Sequence, residues 1–170
     1  ILALEQEIIN TNKLPENIRK KVLEIAEQAR DRSCRLVHIS TDYIFNGENF
    51  RPWQTDDTPD PQSVYGQSKY EGEKAVAQTL KDQAAVIRTA WLYSSHGSNF
   101  VKTMLTLMRS GKALNVIDEQ IGSPTSAFGL AQLVWAAVEK KLSGIFHWTD
   151  GGVASWYDLA RVSLSKCFFT

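Results

Sequence analysis

The chain has 170 residues, 43% hydrophobic and 22% charged, with 19 basic against 19 acidic side chains and a formal net charge of zero. That is the composition of a globular protein of one to one and a half domains, and without a field of one sign neither nucleic acid nor a membrane surface is the expected partner. Cys34 and Cys167 are too few for a disulfide framework and lack zinc-site spacing, which points to free thiols in a reducing, cytoplasmic setting.

No apolar run approaches the roughly 20 residues a membrane helix needs. The start, Ile1-Leu2-Ala3-Leu4-Glu5, has neither the charged region nor the cleavage site of a signal peptide. It also lacks an initiator Met, and the other end stops on Phe168-Phe169-Thr170 without a cap. Both ends are expected to be cut.

Residues 15–32 read as a helix, with Pro15 in the first turn and Ile18, Val22, Ile25, Ala26 and Ala29 along one stripe. Arg35–Ser40 is a short β-branched run of the kind found in parallel strands buried on both faces. Residues 46–63, with Asn46-Gly47 and three prolines, form an ordered loop in which Phe50, Trp53 and Val64 must pack. A second helix spans 64–81, where Gly72 costs roughly 1 kcal/mol against Ala and is expected to mark close packing on the sheet.

Ala84–Tyr93 reads as a second buried strand, and the alternation so far is that of an α/β parallel sheet. Asn99–Ser110 is an amphipathic helix closed by Gly111. Leu114–Ile117 reads as a strand, Gln120–Thr125 as a Gly/Pro loop and Ser126–Lys141 as a helix. Gly144–Trp148 is a further strand, and a last helix follows Ser155 as its cap.

The chemistry gathers at two places. Ser40 and Thr41 stand at the C-terminal end of the first strand, the end at which open parallel sheets bind ligands. Tyr65 and Lys69 lie at i and i+4, roughly 5–6 Å apart on one helix face. An ammonium there is expected to lower the tyrosine pKa from about 10 and make Tyr65 a general acid. The spacing alone is weak, since about 0.3 such pairs arise by chance at this composition. A lysine extended along a helix is also a common packing arrangement.

Several segments in combination carry a resemblance. They are Ser40-Thr41-Asp42-Tyr43-Ile44-Phe45-Asn46-Gly47, Tyr65-Gly66-Gln67-Ser68-Lys69, Gly72-Glu73, Arg88-Thr89-Ala90-Trp91, Asn99-Phe100, Asp118 through Thr125, Gly144-Ile145-Phe146-His147 and Ser155-Trp156-Tyr157. Together they resemble the extended short-chain dehydrogenase/reductase superfamily, and within it the dTDP-4-dehydrorhamnose reductases, from about residue 35 to 165. Glu119 stands where those enzymes usually carry Asp.

The resemblance implies a partial NAD(P)-binding Rossmann-like sheet in residues 1–97 and a smaller α/β substrate-binding lobe, truncated at its end, in 98–170. It also implies a Thr41/Tyr65/Lys69 triad. Hydride would pass from NADPH or NADH to the 4-keto carbon of a dTDP-6-deoxy-hexulose, giving dTDP-L-rhamnose. Tyr65 would protonate the alkoxide, Thr41 orient the keto oxygen and Lys69 hold the nicotinamide ribose, with Ser40 and Thr89 as further cofactor contacts. Trp91 matches a position beside the sugar; Asp42, Tyr43, Asn99, Gln120 and Thr125 are weaker candidates for the substrate. A homodimer is expected of the full-length enzyme.

The ten glycines form no GxGxxG or GxxGxxG turn, so the pyrophosphate-binding half is expected upstream of residue 1 and this chain alone is expected to be inactive. Ile9-Asn10-Thr11 matches the Val-Asn helix before the catalytic strand. A sheet with few parallel strands and an unpaired apolar edge should follow. Two alternatives stay open: an NAD-dependent nucleotide-sugar epimerase or dehydratase with the same site, and a catalytically silent binding or regulatory subunit.

The remaining notable residues have plainer readings. His38 reads as packed in its strand, His96 as solvated and His147 as hydrogen-bonded; three scattered histidines make no metal site. Trp135 reads as core. Asp56, Asp57 and Asp60 read as an acidic turn, since their spacing fits no calcium loop.

Overall fold

The computed structural model describes residues 14–111 and 113–168. The Ile9–Thr11 alignment lies outside the described residues. The chain divides into two compact units, the first formed by the described residues through Thr89 with Leu133–Trp148, the second by Ala90–Gln132 with the residues from Thr149.

In the first unit, helix α1 (Leu14–Asp31) leads to strand β1 (Leu36–Thr41) and a single 3-10 turn, Asp42–Ile44. Helix α2 (Val64–Leu80) and strand β2 (Ala84–Thr89) follow the long loop. Strand β6 (Gly144–His147) comes from much later in the chain, after helix α4 (Ala127–Glu139). The three strands form one parallel sheet in the order β1-β2-β6, with Thr41 level with Thr89 and Arg88 level with His147. Gly144–His147, expected in the second lobe, is therefore a strand of the first sheet.

Ala26 of α1, Val76 and Leu80 of α2, and Ala84 and Val86 of β2 make the core, with Val22, Ala29 and Leu36 packed around it. Val22, Ala26 and Ala29 of the α1 stripe meet this core, whereas Ile25, read as part of the same stripe, is 54% exposed. β2, central in the sheet, is buried at all six positions. β1 is only half-buried over its first four residues, not enclosed on both faces. It is an edge strand, paired among the described residues with β2 alone.

The loop 46–63 is held by Trp53, which stacks on Phe45 at 4.4 Å, and by Arg51, which pairs with Asp57 at 2.6 Å. Phe50 does not pack: it is 99% exposed. Trp135 is likewise 68% exposed rather than core, because α4 turns Ala137 and Leu130 inward instead.

The second unit contains strands β3 (Leu92–Tyr93), β4 (Ile121–Gly122), β5 (Thr125–Ser126) and β7 (Ala154–Ser155), with helices α3 (Phe100–Arg109) and α5 (Trp156–Phe168). β3 pairs with β5 in parallel and β4 with β7 antiparallel. The single strand expected over Ala84–Tyr93 breaks at Trp91, whose φ of +48° no extended strand accommodates. The expected Gln120–Thr125 loop contains β4 and the start of β5. Leu114–Ile117 is not a strand: among the described residues it finds no partner strand, and the Ile117 carbonyl instead accepts the N–H of Tyr157 at the start of α5. Gly111, at φ +70°, closes α3 as its spacing implied.

Candidate active site

Two local devices set the first turn of α2. The Ser63 hydroxyl caps the helix by accepting the N–H of Gly66 at 3.0 Å. Gly66 itself lies so close to the preceding 3-10 turn that a Cβ there would sit 2.1 Å from the carbonyl oxygen of Tyr43. A helix start without a side chain at this point is what lets Tyr65 approach the end of β1. Gly72, by contrast, would place a Cβ 3.4 Å from His38, an ordinary contact, so packing does not demand a glycine there.

Thr41 ends β1 and caps the 3-10 turn, its Oγ1 accepting the Tyr43 N–H at 3.3 Å and donating to Asp42 at 3.1 Å. The phenol of Tyr65 hydrogen-bonds to that same Thr41 side chain, and the rings of Tyr65 and Tyr43 meet edge to face at 5.9 Å. One turn along α2, the Lys69 ammonium donates to the carbonyl of Ile39 at 2.5 Å. Thr41, Tyr65 and Lys69 are therefore brought together by one strand end and one helix face.

The electrostatics differ from what the spacing implied. Burial raises the Tyr65 pKa above the ordinary tyrosine value, and the Asp42 carboxylate adds to this against the opposing Thr41 hydrogen bond. Lys69 is not among the groups that shift it; its ammonium donates to Ile39 at the strand. Burial lowers the Lys69 pKa in turn, opposed by the negative charge of Glu73. Tyr65 is thus a firmly protonated phenol at neutral pH, a donor rather than an incipient phenolate.

Ser40 is buried beside this pair, and its Oγ has no hydrogen-bond partner. A buried hydroxyl without a partner is rare. It fits a site whose polar occupant completes the set, and with the Lys69 ammonium it supplies donors of the type a nicotinamide ribose takes. Thr89 is buried at the matching end of β2.

Glu73 and Arg88, given no role by the sequence, form the most buried ion pair described, each side chain 4% exposed and the closest contact 2.8 Å. Arg88 Nη1 also donates to the Thr55 carbonyl at 3.2 Å and lies 3.4 Å from Nε2 of His147. Nδ1 of His147 is 3.1 Å from the Trp53 carbonyl. That arrangement suits a neutral ring that donates to Trp53 and accepts from Arg88, in line with the lowered His147 pKa that burial produces. The network ties α2 to β2, β6 and the 46–63 loop. Its one visible signal was that Glu73 follows Lys69 by a further four residues.

The other candidates lie in the second unit. Asn99 is the cap of α3, accepting the Lys102 N–H at 3.1 Å and donating to the Ser94 carbonyl at 2.7 Å. Gln120 accepts the indole N–H of Trp156 at 3.1 Å. Trp91 stacks on Trp156, and Thr125 is wholly buried. Ser155 and Asp158 form a reciprocal capping box at the start of α5, and the Ser155 hydroxyl also donates to Asp118 at 2.5 Å. Among the described residues no cluster of His, Cys, Asp or Glu could hold a metal ion, and no helix is long and apolar enough to cross a membrane.

A family profile described as the RmlD substrate binding domain matches residues 10–169. A dTDP-4-keto-6-deoxy-D-glucose reductase of Streptomyces niveus is 46% identical over 140 residues, 82% of this chain and 49% of its own length. The crystal structure of a dTDP-4-dehydrorhamnose reductase from Clostridium acetobutylicum superposes with a TM-score of 0.85 at 36% identity, covering 94% of this chain and 59% of that one. That of the Bacillus anthracis dTDP-4-dehydrorhamnose reductase in complex with NADP gives 0.82 at 33% identity, over 86% and 52%. The chain spans about half the length of the curated relatives it matches. The fold is an α/β one of the Rossmann-like kind these reductases share, and the chain belongs to the RmlD substrate-binding-domain family.

Proposed function

We propose that this chain carries the proton-donating and sugar-binding part of a dTDP-4-dehydrorhamnose reductase, in which the 4-keto group of a dTDP-6-deoxy-hexulose is reduced to give dTDP-L-rhamnose. The observation that carries the reading is the Tyr65 phenol, protonated by virtue of its burial, hydrogen-bonded to Thr41 with Lys69 one turn away. When bound, a reduced nicotinamide supplies the hydride; Lys69 and the partnerless Ser40 hydroxyl, with Thr89, would hold its ribose end. Thr41, fixed by its backbone cap, orients the keto oxygen toward Tyr65. Tyr65 then gives its proton to the oxygen as negative charge builds there. Trp91 lies beside the sugar, and Asp42, Tyr43, Asn99, Gln120 and Thr125 serve the substrate either by contact or, as Asn99 does at its cap, by shaping the loop that receives it.

Relatives named as such reductases, one of them in complex with NADP, support this choice over an epimerase or dehydratase. A cytoplasmic enzyme acting as a homodimer is part of the same proposal. The chain joined to the remaining segment of the Bacillus anthracis enzyme should oxidise NADPH in the presence of dTDP-4-dehydrorhamnose. A chimera that folds and binds NADPH yet leaves the keto-sugar unreduced overturns the reading.

A further inference from the structure

Trp91 is held in an unusual way. Its backbone sits at φ +48°, a conformation that is costly for a bulky residue and persists only where the surroundings impose it. Three contacts impose it. The Trp91 carbonyl accepts the N–H of Thr125 at 3.1 Å, anchoring the strained residue to β5. One edge of its indole lies over Gly122, where a Cβ would fall 2.6 Å from Cε2 and 2.9 Å from Nε1. One face is covered by Trp156, with ring centroids 3.7 Å apart and planes 13° from parallel.

Trp156 is itself fixed from two further directions. Its indole N–H donates to Oε1 of Gln120, and Phe100 packs against it at 4.5 Å, tilted by 53°. Trp156 is the first residue of α5 and lies between Ser155 and Asp158, whose reciprocal capping bonds hold its backbone from both sides. The order of support runs from helix cap to Trp156, from Trp156 to Trp91, and from Trp91 to whatever lies on its other face.

We infer that Trp156 is the positioning residue of the sugar subsite. It sets the plane of the Trp91 indole against which the hexose ring lies, with Gly122 admitting the edge of that indole and Gln120 keeping Trp156 in register. This rests on the proposed reading of Trp91 as the sugar's neighbour. An aromatic platform discriminates by the angle and depth at which it meets the C–H face of a sugar. A support that fixes that plane therefore governs sugar affinity while leaving the nucleotide's own contacts alone.

The test compares binding of dTDP-L-rhamnose with binding of dTDP by the 170-residue chain, measured calorimetrically. The ratio of the two affinities isolates the sugar's share. Circular dichroism reports the stacked indole pair directly, as an exciton couplet that requires both rings. Wild type should bind dTDP-L-rhamnose more tightly than dTDP and show the couplet. Trp156→Ala should remove the couplet and lower dTDP-L-rhamnose affinity roughly tenfold, the order of one aromatic stacking contact, with dTDP affinity within about twofold. Gly122→Ala should distort the couplet and lose the same ratio, and Trp156→Phe, which keeps a stacking ring, should recover most of it.

Trp91→Ala separates the inference from the reading beneath it. If Trp91→Ala collapses the ratio while Trp156→Ala and Gly122→Ala leave it intact, Trp156 is only a packing residue and the inference is overturned. If Trp91→Ala leaves the ratio intact, or wild type does not distinguish the two ligands, the sugar assignment of Trp91 fails and the inference with it. Equal losses for both ligands in Trp156→Ala, Trp156→Phe and Gly122→Ala also overturn it, since they mark a general structural role.

Discussion

Acid should destabilise the first unit through its buried histidines, His38 above all and His147 with it. His38 lies in β1 beneath α2 with its Nε2 buried and without a hydrogen-bond partner. Burial first, and the nearby Lys69 ammonium second, lower its pKa from 6.5 to about 4, against a smaller opposing effect of Glu73. At pH 7 the ring is neutral in both folded and unfolded chain, so the full stability is present. Below the unfolded value of 6.5 the unfolded chain takes up a proton that the folded chain refuses until the pH reaches about 4. Each pH unit across that window is worth about 1.4 kcal/mol, so the loss approaches about 3 kcal/mol. The perturbation is His38→Leu, which fills the site without a titrating group and without an orphaned nitrogen. Urea unfolding followed by tryptophan fluorescence at a series of pH values from 7 to 4 gives the stability of both proteins. Wild type should lose about 3 kcal/mol more than His38→Leu across the window, the curves running parallel above pH 6.5. Equal losses in the two proteins would refute the assignment of this titration to His38.

Other consequences follow from the same packing. Glu73→Ala strands the Arg88 guanidinium in the interior and should cost about 3–5 kcal/mol in urea unfolding, whereas removing both charges together should cost less than Glu73→Ala alone. Gly66→Ala drives a methyl into the Tyr43 carbonyl and should cost about 3 kcal/mol, as overpacking against backbone does; Gly72→Ala should be far milder. Because the folded pKa of Tyr65 is raised, its phenol stays protonated beyond the ordinary value near 10. In an ultraviolet titration the wild-type minus Tyr65→Phe difference should appear only at the alkaline end, and a component titrating below that value would contradict the burial argument.

The parts of this fold legible in the sequence are those in which one residue type repeats against one surface. The stripe Val22, Ala26, Ala29 announced α1 because all three meet α2 and the sheet, and Gly111 announced the end of α3. Trp91 broke a strand that its composition extended, because a positive φ imposed by Gly122, Thr125 and Trp156 has no local signature. The ladders β3/β5 and β4/β7 are two residues long and carry no periodicity, while Leu114–Ile117 has the composition of a strand and, among the described residues, no strand to pair with. At the site, Thr41, Tyr65 and Lys69 were legible because a strand end and an i,i+4 pair are local facts. The direction of the Tyr65 pKa was not, since it depends on burial. The Glu73–Arg88 pair joins residues 15 apart whose partnership only the α2–β2 packing creates.

On the proposed reading, Tyr65 is the acid of a keto-sugar reduction. The measurement that meets it directly is NADPH-dependent reduction of dTDP-4-dehydrorhamnose by the chain joined to the remaining segment of the Bacillus anthracis enzyme, with and without Tyr65→Phe. Loss of the general acid should lower kcat by about 10²–10⁴-fold with little change in the binding of dTDP-L-rhamnose. A Tyr65→Phe protein that folds, binds and turns over at the parent rate would contradict the account.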